Sequence, residues 1–114
     1  MKRVYVAGPI SKGDIWANVR RGVEVGLQLL DFGFAVFIPQ LSMYAEPDAL
    51  AGSKRYEEWL DNDFSWIEVS DCVLRIPGES AGADREVAHA EKLGIPVFYS
   101  LEDLISLMCW AACD

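Results

Sequence analysis

The sequence is poor in basic residues, in histidine and in paired cysteines. Its 10 Lys and Arg residues are outnumbered by 18 Asp and Glu residues, which gives a formal net charge of −8 with the single histidine neutral. Duplex nucleic acids and anionic membranes are bound through clustered Lys and Arg, so this charge argues against both partners. A small anionic ligand is still compatible with it, because one helix N-terminus and one or two basic side chains can hold a phosphate.

The cysteines exclude further classes of protein. Cys72, Cys109 and Cys113 are odd in number and lack C-x-x-C spacing, which disfavours a disulfide framework and a redox pair. Since His89 is the only histidine, a zinc cage would need carboxylates, and we predict neither a metal site nor a cofactor. No run approaches the ~18 consecutive apolar residues of a membrane span. These absences predict a cytoplasmic protein with reduced thiols.

What the sequence does contain is enough for one globular unit. The chain has 114 residues, of which 52% are apolar and 25% charged. A chain of this length can bury most of its surface without disulfides or a structural metal. We therefore predict a single domain over residues 1–114.

Four short runs of β-branched and aromatic residues stand out along the chain. They cover Arg3–Ala7, Phe34–Ile38, Cys72–Ile76 and Pro96–Tyr99. Each run is nearly continuously apolar, as are parallel strands that are buried on both faces. These runs are predicted to be the strands of one sheet.

Helical spacing of apolar residues lies between and after these runs. The first helix is predicted to bury a stripe made of Trp16, Val19, Val23, Leu27 and Leu30. The second helix carries Tyr56, Trp59, Leu60, Phe64 and Ile67. A third helix runs from about Ala81 to Gly94, and a last helix begins at the N-cap Ser100. The segment Pro39–Ser53 is predicted to be a long loop. This alternation is typical of an α/β fold: an open, Rossmann-like parallel sheet of four or five strands with helices on both faces.

Ligands of such sheets bind beyond the carboxyl ends of the strands. The glycine-rich segment Gly8–Asp14 follows the first predicted strand and spaces its glycines like a phosphate loop. Asp14 stands where that motif requires lysine, so we reject a phosphate loop. The segment is predicted to be either a ligand-lining loop or a tight turn.

A second glycine-rich segment, Pro77–Asp84, leads directly into the third helix. Backbone N–H groups of Gly82 and Ala83, together with the Ser80 hydroxyl, could cradle an anion at the positive end of that helix. The alternative is that Ser80 is an ordinary N-cap. The loop alone does not separate the two.

Two helices each place one carboxylate among small or apolar residues. Glu86 shares a helix face with Ala83, Ala90 and Leu93, and Asp63 shares one with Tyr56, Leu60 and Ile67. Charged residues are rare on inward faces unless they are paired or functional. Either carboxylate alone is better explained by solvation at a helix boundary, but both beside a glycine loop indicate acid, base or nucleophile chemistry.

Three motifs follow one another on these predicted elements. They are Tyr5-x-x-Gly8-x-Ile10, then Asn62-Asp63-Phe64-x-Trp66 followed by Ser70-Asp71-Cys72-Val73, and then Ser80-x-Gly82-x-x-x-Glu86 with Ala90. In this order they resemble the nucleoside 2-deoxyribosyltransferase family, including its nucleoside 5′-monophosphate N-glycosidase branch. The resemblance runs from Met1 to about Tyr99. It implies a flavodoxin-like fold and cleavage of the N-glycosidic bond between a base and a (deoxy)ribose.

The resemblance also implies a role for individual residues. Glu86 would attack the anomeric carbon and form a covalent glycosyl-enzyme, which a second base or water would resolve. Asp63 would assist the departing base, and Tyr5 would orient Glu86 by hydrogen bonding. Gly8 and Ile10 would line the base and sugar pocket.

The position six residues before Glu86 bears on the substrate. Transferases of the family carry an aspartate there, which holds the sugar 5′-hydroxyl, whereas this chain has Ser80. A serine is similar to the monophosphate branch, where it helps to bind the phosphate. An aspartate would repel phosphate, while a hydroxyl at a helix N-terminus accepts it. We therefore predict substrate contacts from Ser80 and Gly82 and favour a nucleotide over a free nucleoside.

Other functions are left open at this stage. The alternatives are a non-catalytic nucleotide-binding module of the same fold and a hydrolase of another N-ribosyl compound such as NAD. The predicted partners are a small-molecule nucleoside or nucleotide and further copies of the chain, with neither a nucleic-acid polymer nor a membrane. A homodimer or higher homo-oligomer is expected because apolar residues leave more than one apolar face on the last helix: Leu104, Ile105, Leu107, Met108, Trp110 and Ala111.

Overall fold

A computed structural model describes residues 1–46 and 55–109, without the side chain of residue 109. The strands are β1 Arg3–Ala7, β2 Ala35–Phe37, β3 Cys72–Arg75 and β4 Val97–Phe98. The helices are α1 Ile15–Asp31, α2 Ser42–Ala45, α3 Tyr56–Ile67, α4 Ala81–Lys92 and α5 Leu101–Leu104. A 3-10 turn, Pro39–Leu41, precedes α2, and a π-helical turn, Ile105–Cys109, follows α5.

The four strands form one parallel sheet in the order β2-β1-β3-β4. Tyr5 of β1 pairs with Phe37 of β2 on one side and with Val73 of β3 on the other. This confirms the predicted parallel α/β sheet, with four strands in the part of the chain that the structure describes. All four predicted runs contain their strand, and three of the strands are shorter than the runs by one or more residues.

Alternation along the strands creates two cores, one on each face of the sheet. One core packs strand residues such as Val4 and Val6 against Leu29 of α1 and Leu104 of α5. The other packs Tyr5 and its strand neighbours against α3 and α4, through residues that include Ile67, Ala83 and Ala90. Helices therefore cover both faces, as predicted.

The predicted apolar stripe on α1 is wrong in most of its members. Trp16, Leu27 and Leu30 are exposed, and the buried face consists of Asn18, Val19, Gly22, Gly26 and Leu29. The stripe was deduced from large apolar residues, whereas the helix packs through its two glycines. Their missing side chains make room for Gln40 and Ile38, so close approach outweighs hydrophobic size on this face.

Two further predictions of elements need correction. The predicted loop Pro39–Ser53 begins with the 3-10 turn and α2, and its residues 47–54 lie outside the described structure. The last helix is one short helix that continues into a π-helical turn, and Trp110 and Ala111 lie outside the described residues. Its N-cap is confirmed, because the Ser100 hydroxyl accepts a hydrogen bond from the N–H of Asp103 at 3.1 Å.

None of the described helices is long and apolar enough to cross a membrane.

The strand order reverses between β1 and β3, and this places the two glycine-rich segments side by side. From central β1 the chain continues to β2 on one side, and β3 pairs with β1 on the other. The segments meet directly at Gly78, whose φ of +125° few other residues adopt. A Cβ at Gly78 would lie 2.7 Å from Cγ of Pro9, so glycine is required for the close approach. Crevices at such reversals are the usual ligand sites of open α/β sheets.

Candidate active site

Three side chains that are far apart in the sequence meet on the α3–α4 face of the sheet. Tyr5 points from β1 toward the helices, and both Asp63 on α3 and Glu86 on α4 lie on the buried sides of their helices. The Tyr5 hydroxyl donates a hydrogen bond to Oε2 of Glu86, and Asp63 interacts with both groups. The three predicted catalytic residues thus form one cluster.

The inward orientation of the two carboxylates follows from helical spacing. Leu60 and Ile67 lie one turn before and after Asp63, and Ala83 and Ala90 do the same around Glu86. All four are buried, and because the carboxylates share their helix faces, Asp63 and Glu86 are buried as well. Leu93 does not share this environment, although its spacing predicted it, because it follows the last residue of α4 and is exposed.

Burial raises the pKa of both carboxyl groups. For Glu86 the main cause is desolvation; the hydrogen bond from Tyr5 lowers its pKa and the charge of Asp63 raises it again. Desolvation also raises the pKa of Asp63, against hydrogen bonds from Asn62, Glu86 and Tyr5 that lower it. Two adjacent buried carboxylates do not readily ionise together, which favours a state in which the pair holds one proton.

Aromatic rings hold the Tyr5 side chain in place. The ring of Phe37 stacks on Tyr5 with centroids 5.5 Å apart, and Trp66 stacks on the far side of Phe37 at 5.3 Å. Burial also raises the pKa of Tyr5 well above its usual value, and the neighbouring charges of Glu86 and Asp63 raise it further. Tyr5 is therefore a neutral, well-oriented hydrogen-bond donor to Glu86.

Both carboxylates border a pocket of about 250 Å³ at the strand reversal. The predicted substrate-binding residues Gly8, Ile10, Ser80 and Gly82 all line it, together with Asp63 and Glu86. The wall also includes Ser42, Met43, Tyr56, Trp59 and Leu60, for which the sequence predicted no contact with a ligand. The aromatic members Tyr56 and Trp59 belong to none of the three motifs.

The sequence left two possibilities for the beginning of α4, an anion cradle or an ordinary N-cap, and the structure shows the N-cap. The Ser80 hydroxyl accepts a hydrogen bond from the N–H of Ala83 at 3.1 Å, which makes Ser80 the N-cap of α4. The N–H of Ala83 is therefore engaged within the protein, and the predicted anion cradle loses one of its donors. Ser80 and Gly82 still border the pocket, and the Ser80 hydroxyl still has a proton to donate.

The charges around the pocket are mostly negative. Lys12 lies at the rim, and its ammonium is 3.8 Å from the carboxylate of Glu79. Both side chains are largely exposed, and such pairs contribute little to stability, so Lys12 can exchange Glu79 for another anion at small cost. Among the described residues that line the pocket, Glu79, Asp63 and Glu86 are acidic and Lys12 is basic.

Arg75 is a functional candidate that the sequence analysis missed. This arginine at the end of β3 is 9% exposed and donates to the carbonyl of Ile76, to that of Gly78 at 2.8 Å and to Asp84 at 3.1 Å. Its positive charge contributes to lowering the pKa of Glu86. The available signal was a basic residue inside the otherwise apolar run Cys72–Ile76.

His89 lies outside the pocket. Its ring stacks on Phe64 with centroids 4.4 Å apart, and Nε2 lies 3.1 Å from a carboxylate oxygen of Glu68. Within residues 1–46 and 55–109, no three His, Cys, Asp or Glu side chains are grouped as metal ligands would be.

Comparison with known proteins relates the chain to one family and to one group of enzymes. A family model described as a domain of unknown function, DUF4406, matches residues 2–99. A search of curated proteins gave no significant match.

Among solved structures, the chain is similar to a 2-deoxyribosyltransferase from the psychrotolerant bacterium Bacillus psychrosaccharolyticus, which is described as a biocatalyst for the synthesis of antiviral and antitumoral nucleosides. The TM-score is 0.61 and the sequence identity 26%, over 83% of this chain and 69% of that chain. This similarity confirms the predicted resemblance and the flavodoxin-like fold.

Proposed function

The chain belongs to the DUF4406 family, and we propose that it cleaves the N-glycosidic bond of a nucleoside or nucleoside 5′-monophosphate. One observation carries the proposal: two buried carboxyl groups with raised pKa values, one of them hydrogen-bonded to a tyrosine, border a pocket at the strand reversal. The similarity to a 2-deoxyribosyltransferase supports the same reaction class. A nucleobase and a pentose are small enough to occupy such a pocket in part.

In the first step, a carboxylate oxygen of Glu86 attacks C1′ of the sugar. The C1′–O bond forms while the C1′–N bond breaks, and the electron pair of the broken bond leaves with the base. Asp63 donates a proton to a ring nitrogen of that base. In the second step, water or another nucleobase attacks C1′, gives up its proton to Asp63 and releases Glu86 as a carboxylate.

The shared proton suits this division of roles. When Glu86 is ionised, the proton of the pair resides on Asp63, so the nucleophile and the acid are ready together. Deeper burial by itself favours the proton on Glu86. Positive charge that develops at C1′ reverses this preference, because it stabilises the Glu86 carboxylate beside it.

A 5′-monophosphate is the substrate that we favour. The Ser80 hydroxyl and the N-terminal end of α4 border the pocket, and Lys12 stands at its rim. These are the groups that a phosphate needs, provided that Lys12 leaves Glu79. Because Lys12 and Glu79 are both largely exposed, breaking this ion pair costs little, and a bound phosphate can replace Glu79 as the partner of Lys12.

Nucleobase release from a panel of nucleosides and 5′-monophosphates tests the reaction. Glu86→Gln should lower the rate by at least about a thousandfold, because it keeps the shape of the side chain and removes the nucleophile. Glu91→Gln is the matched control, since Glu91 is an exposed residue of the same helix. Trapping of a sugar on Glu86 with a slow substrate would establish the covalent step. If the wild type binds nucleotides but releases no base, the protein is a binding module.

Ser80→Asp tests the preference for phosphate. Aspartate is as good an N-cap as serine, so α4 should keep its stability, while the added charge should repel a 5′-phosphate. We expect monophosphate cleavage to fall more than tenfold relative to nucleoside cleavage, read from the two kcat/KM values. An unchanged ratio would show that the phosphate does not bind at Ser80.

A further inference from the structure

The turn between β3 and α4 is held by arginine side chains. The backbone carbonyls of Ile76 and Gly78 accept hydrogen bonds from Arg75, and that of Pro77 accepts one from Arg21 of α1 at 3.4 Å. Three consecutive carbonyls thus face guanidinium groups. The planar, five-donor guanidinium is well suited to bridging several acceptors at once.

The strand register places Arg75 on the face of the sheet that carries the site. Arg75 pairs with Ala7, and it points to the same side as Val73 and Tyr5. Its ion-pair partner Asp84 is mostly exposed, so Arg75 is the buried member of the pair. A buried cation is costly unless hydrogen bonds and charges compensate it, and the site supplies both.

The titratable and charged groups around Glu86 come from several elements. Tyr5 approaches from β1, Asp63 from α3 and Arg75 from β3, and Lys12 and Glu79 line the pocket from its two loops. Of the groups that influence Glu86 by charge, Asp63 favours its protonated form and Arg75 favours its ionised form. Arg75 therefore opposes Asp63 at the proposed nucleophile.

We propose that Arg75 is a positioning residue of this site: its guanidinium fixes the turn Ile76–Gly78 and keeps a buried positive charge on the face of the sheet that carries Tyr5. That the ionised form of Glu86 is the functional one rests on the proposed glycosidic reaction, in which this carboxylate is the nucleophile. The two physical effects, on the turn and on the ionisation, do not depend on it.

The test replaces Arg75 and follows the ionisation of Glu86 directly. The carboxyl carbons of glutamate are labelled with ¹³C, and the Glu86 signal is assigned by its loss in Glu86→Gln. In Arg75→Met the midpoint of the Glu86 titration should rise by roughly one half to one pH unit. Arg85→Met removes the same charge from α4, where Arg85 pairs with exposed Glu57 at 2.9 Å, and should leave the midpoint unchanged.

Arg75→Lys separates charge from geometry. Lysine keeps the charge, so the midpoint should stay close to that of the wild type, but it cannot bridge both carbonyls, so KM for the substrate should rise severalfold. Arg75→Gln serves if Arg75→Met does not fold, because its amide can still donate to a carbonyl. The proposal would be overturned if the Glu86 midpoint were the same in the wild type and in the neutral variants Arg75→Met and Arg75→Gln. It would also be overturned if the Glu86 midpoint in Arg75→Lys matched that of the neutral variants.

The titration and the activity distinguish the two proposals. If the wild type releases no base but the midpoint shifts as expected, the glycosidic reaction fails and the role of Arg75 in the ionisation stands. If base is released, the acid limb of the pH–rate profile should move to higher pH in Arg75→Met by the same amount as the midpoint.

Discussion

At the scale of single residues, the site depends on how one proton is divided between two buried carboxyl groups. Tyr5 and Arg75 favour the ionised form of Glu86, and burial and Asp63 favour the protonated form. Each of these influences is strong because it acts in a poorly solvated environment. Small changes at these positions are therefore expected to alter the pH dependence of the protein before they alter its fold.

Tyr5→Phe tests the hydrogen bond to Glu86. Since this hydrogen bond lowers the pKa of Glu86, its loss raises that pKa, and the acid limb of the pH–rate profile should shift to higher pH. A hydrogen bond to a charged group contributes about 1.5–3 kcal/mol, so the rate at neutral pH should fall about ten- to a hundredfold. Tyr99→Phe, at an exposed position, is the control. An unshifted profile would contradict the role of Tyr5.

At the scale of elements, α1 is joined to the sheet edge by an unusual contact. Gln40 is fully buried beneath Gly22, and its amide nitrogen lies 3.4 Å from the carbonyl of Val6. Its Oε1 has no hydrogen-bond partner among the described residues. The amide also lies close to Gly8 of the pocket, so the packing of α1 and the position of the first loop are connected.

Gly22→Ala is expected to destabilise the protein although alanine favours helices. A Cβ at Gly22 would lie 2.7 Å from Cδ of Gln40, which has no room to move. Overpacking costs about 1–3 kcal/mol, against a gain in helix propensity of up to about 1 kcal/mol. Urea unfolding measures the difference. In a Gln40→Ala background the cost should disappear, and a stabilised single variant would contradict the contact.

At the scale of the whole molecule, the raised pKa values couple folding to pH. A carboxyl group whose pKa is higher in the folded state binds its proton more tightly there. Its contribution to stability is fully present below the unfolded pKa and is lost as the pH rises through the folded pKa. For Glu86 and Asp63 both shifts are upward, so both groups act in the same direction.

We expect the melting temperature of the wild type to fall as the pH rises from about 5 toward 9. Glu86→Gln should weaken this dependence and melt higher than the wild type at alkaline pH, because it removes the buried charge. Glu91→Gln, at an exposed site on the same helix, should follow the wild type. Parallel curves for the wild type and Glu86→Gln would show that Glu86 has an ordinary pKa.

Self-association remains a prediction at the same scale. Leu107 and Tyr99 are exposed near the carboxyl-terminal end of the described structure, where the sequence predicted an apolar surface. Sedimentation equilibrium at micromolar concentration should give at least twice the monomer mass, and Leu107→Glu should lower it. Leu27→Glu, at an exposed position of α1, is the control. A monomeric wild type would exclude the association.

Local pattern was sufficient for much of the fold and for part of the site. The runs of β-branched residues identified all four strands, because strands buried on both faces tolerate few polar residues. Helical spacing placed Asp63 and Glu86 on inward faces. It failed on α1, where glycine rather than a large apolar residue marks the buried side. A residue scale based on hydrophobicity gives no weight to the close approach that glycine permits.

The sequence by itself determined the strands, the inward faces of α3 and α4 and the order of the motifs, because each depends on residues only a few positions apart. The tertiary structure decided that Tyr5 contacts Glu86 across 81 positions, that Ser80 caps α4, and that Arg75 lies on the same face of the sheet as Tyr5. Such contacts depend on strand order and register, which place distant residues side by side. No local pattern specifies that pairing, since it results from the packing of the whole sheet with its helices.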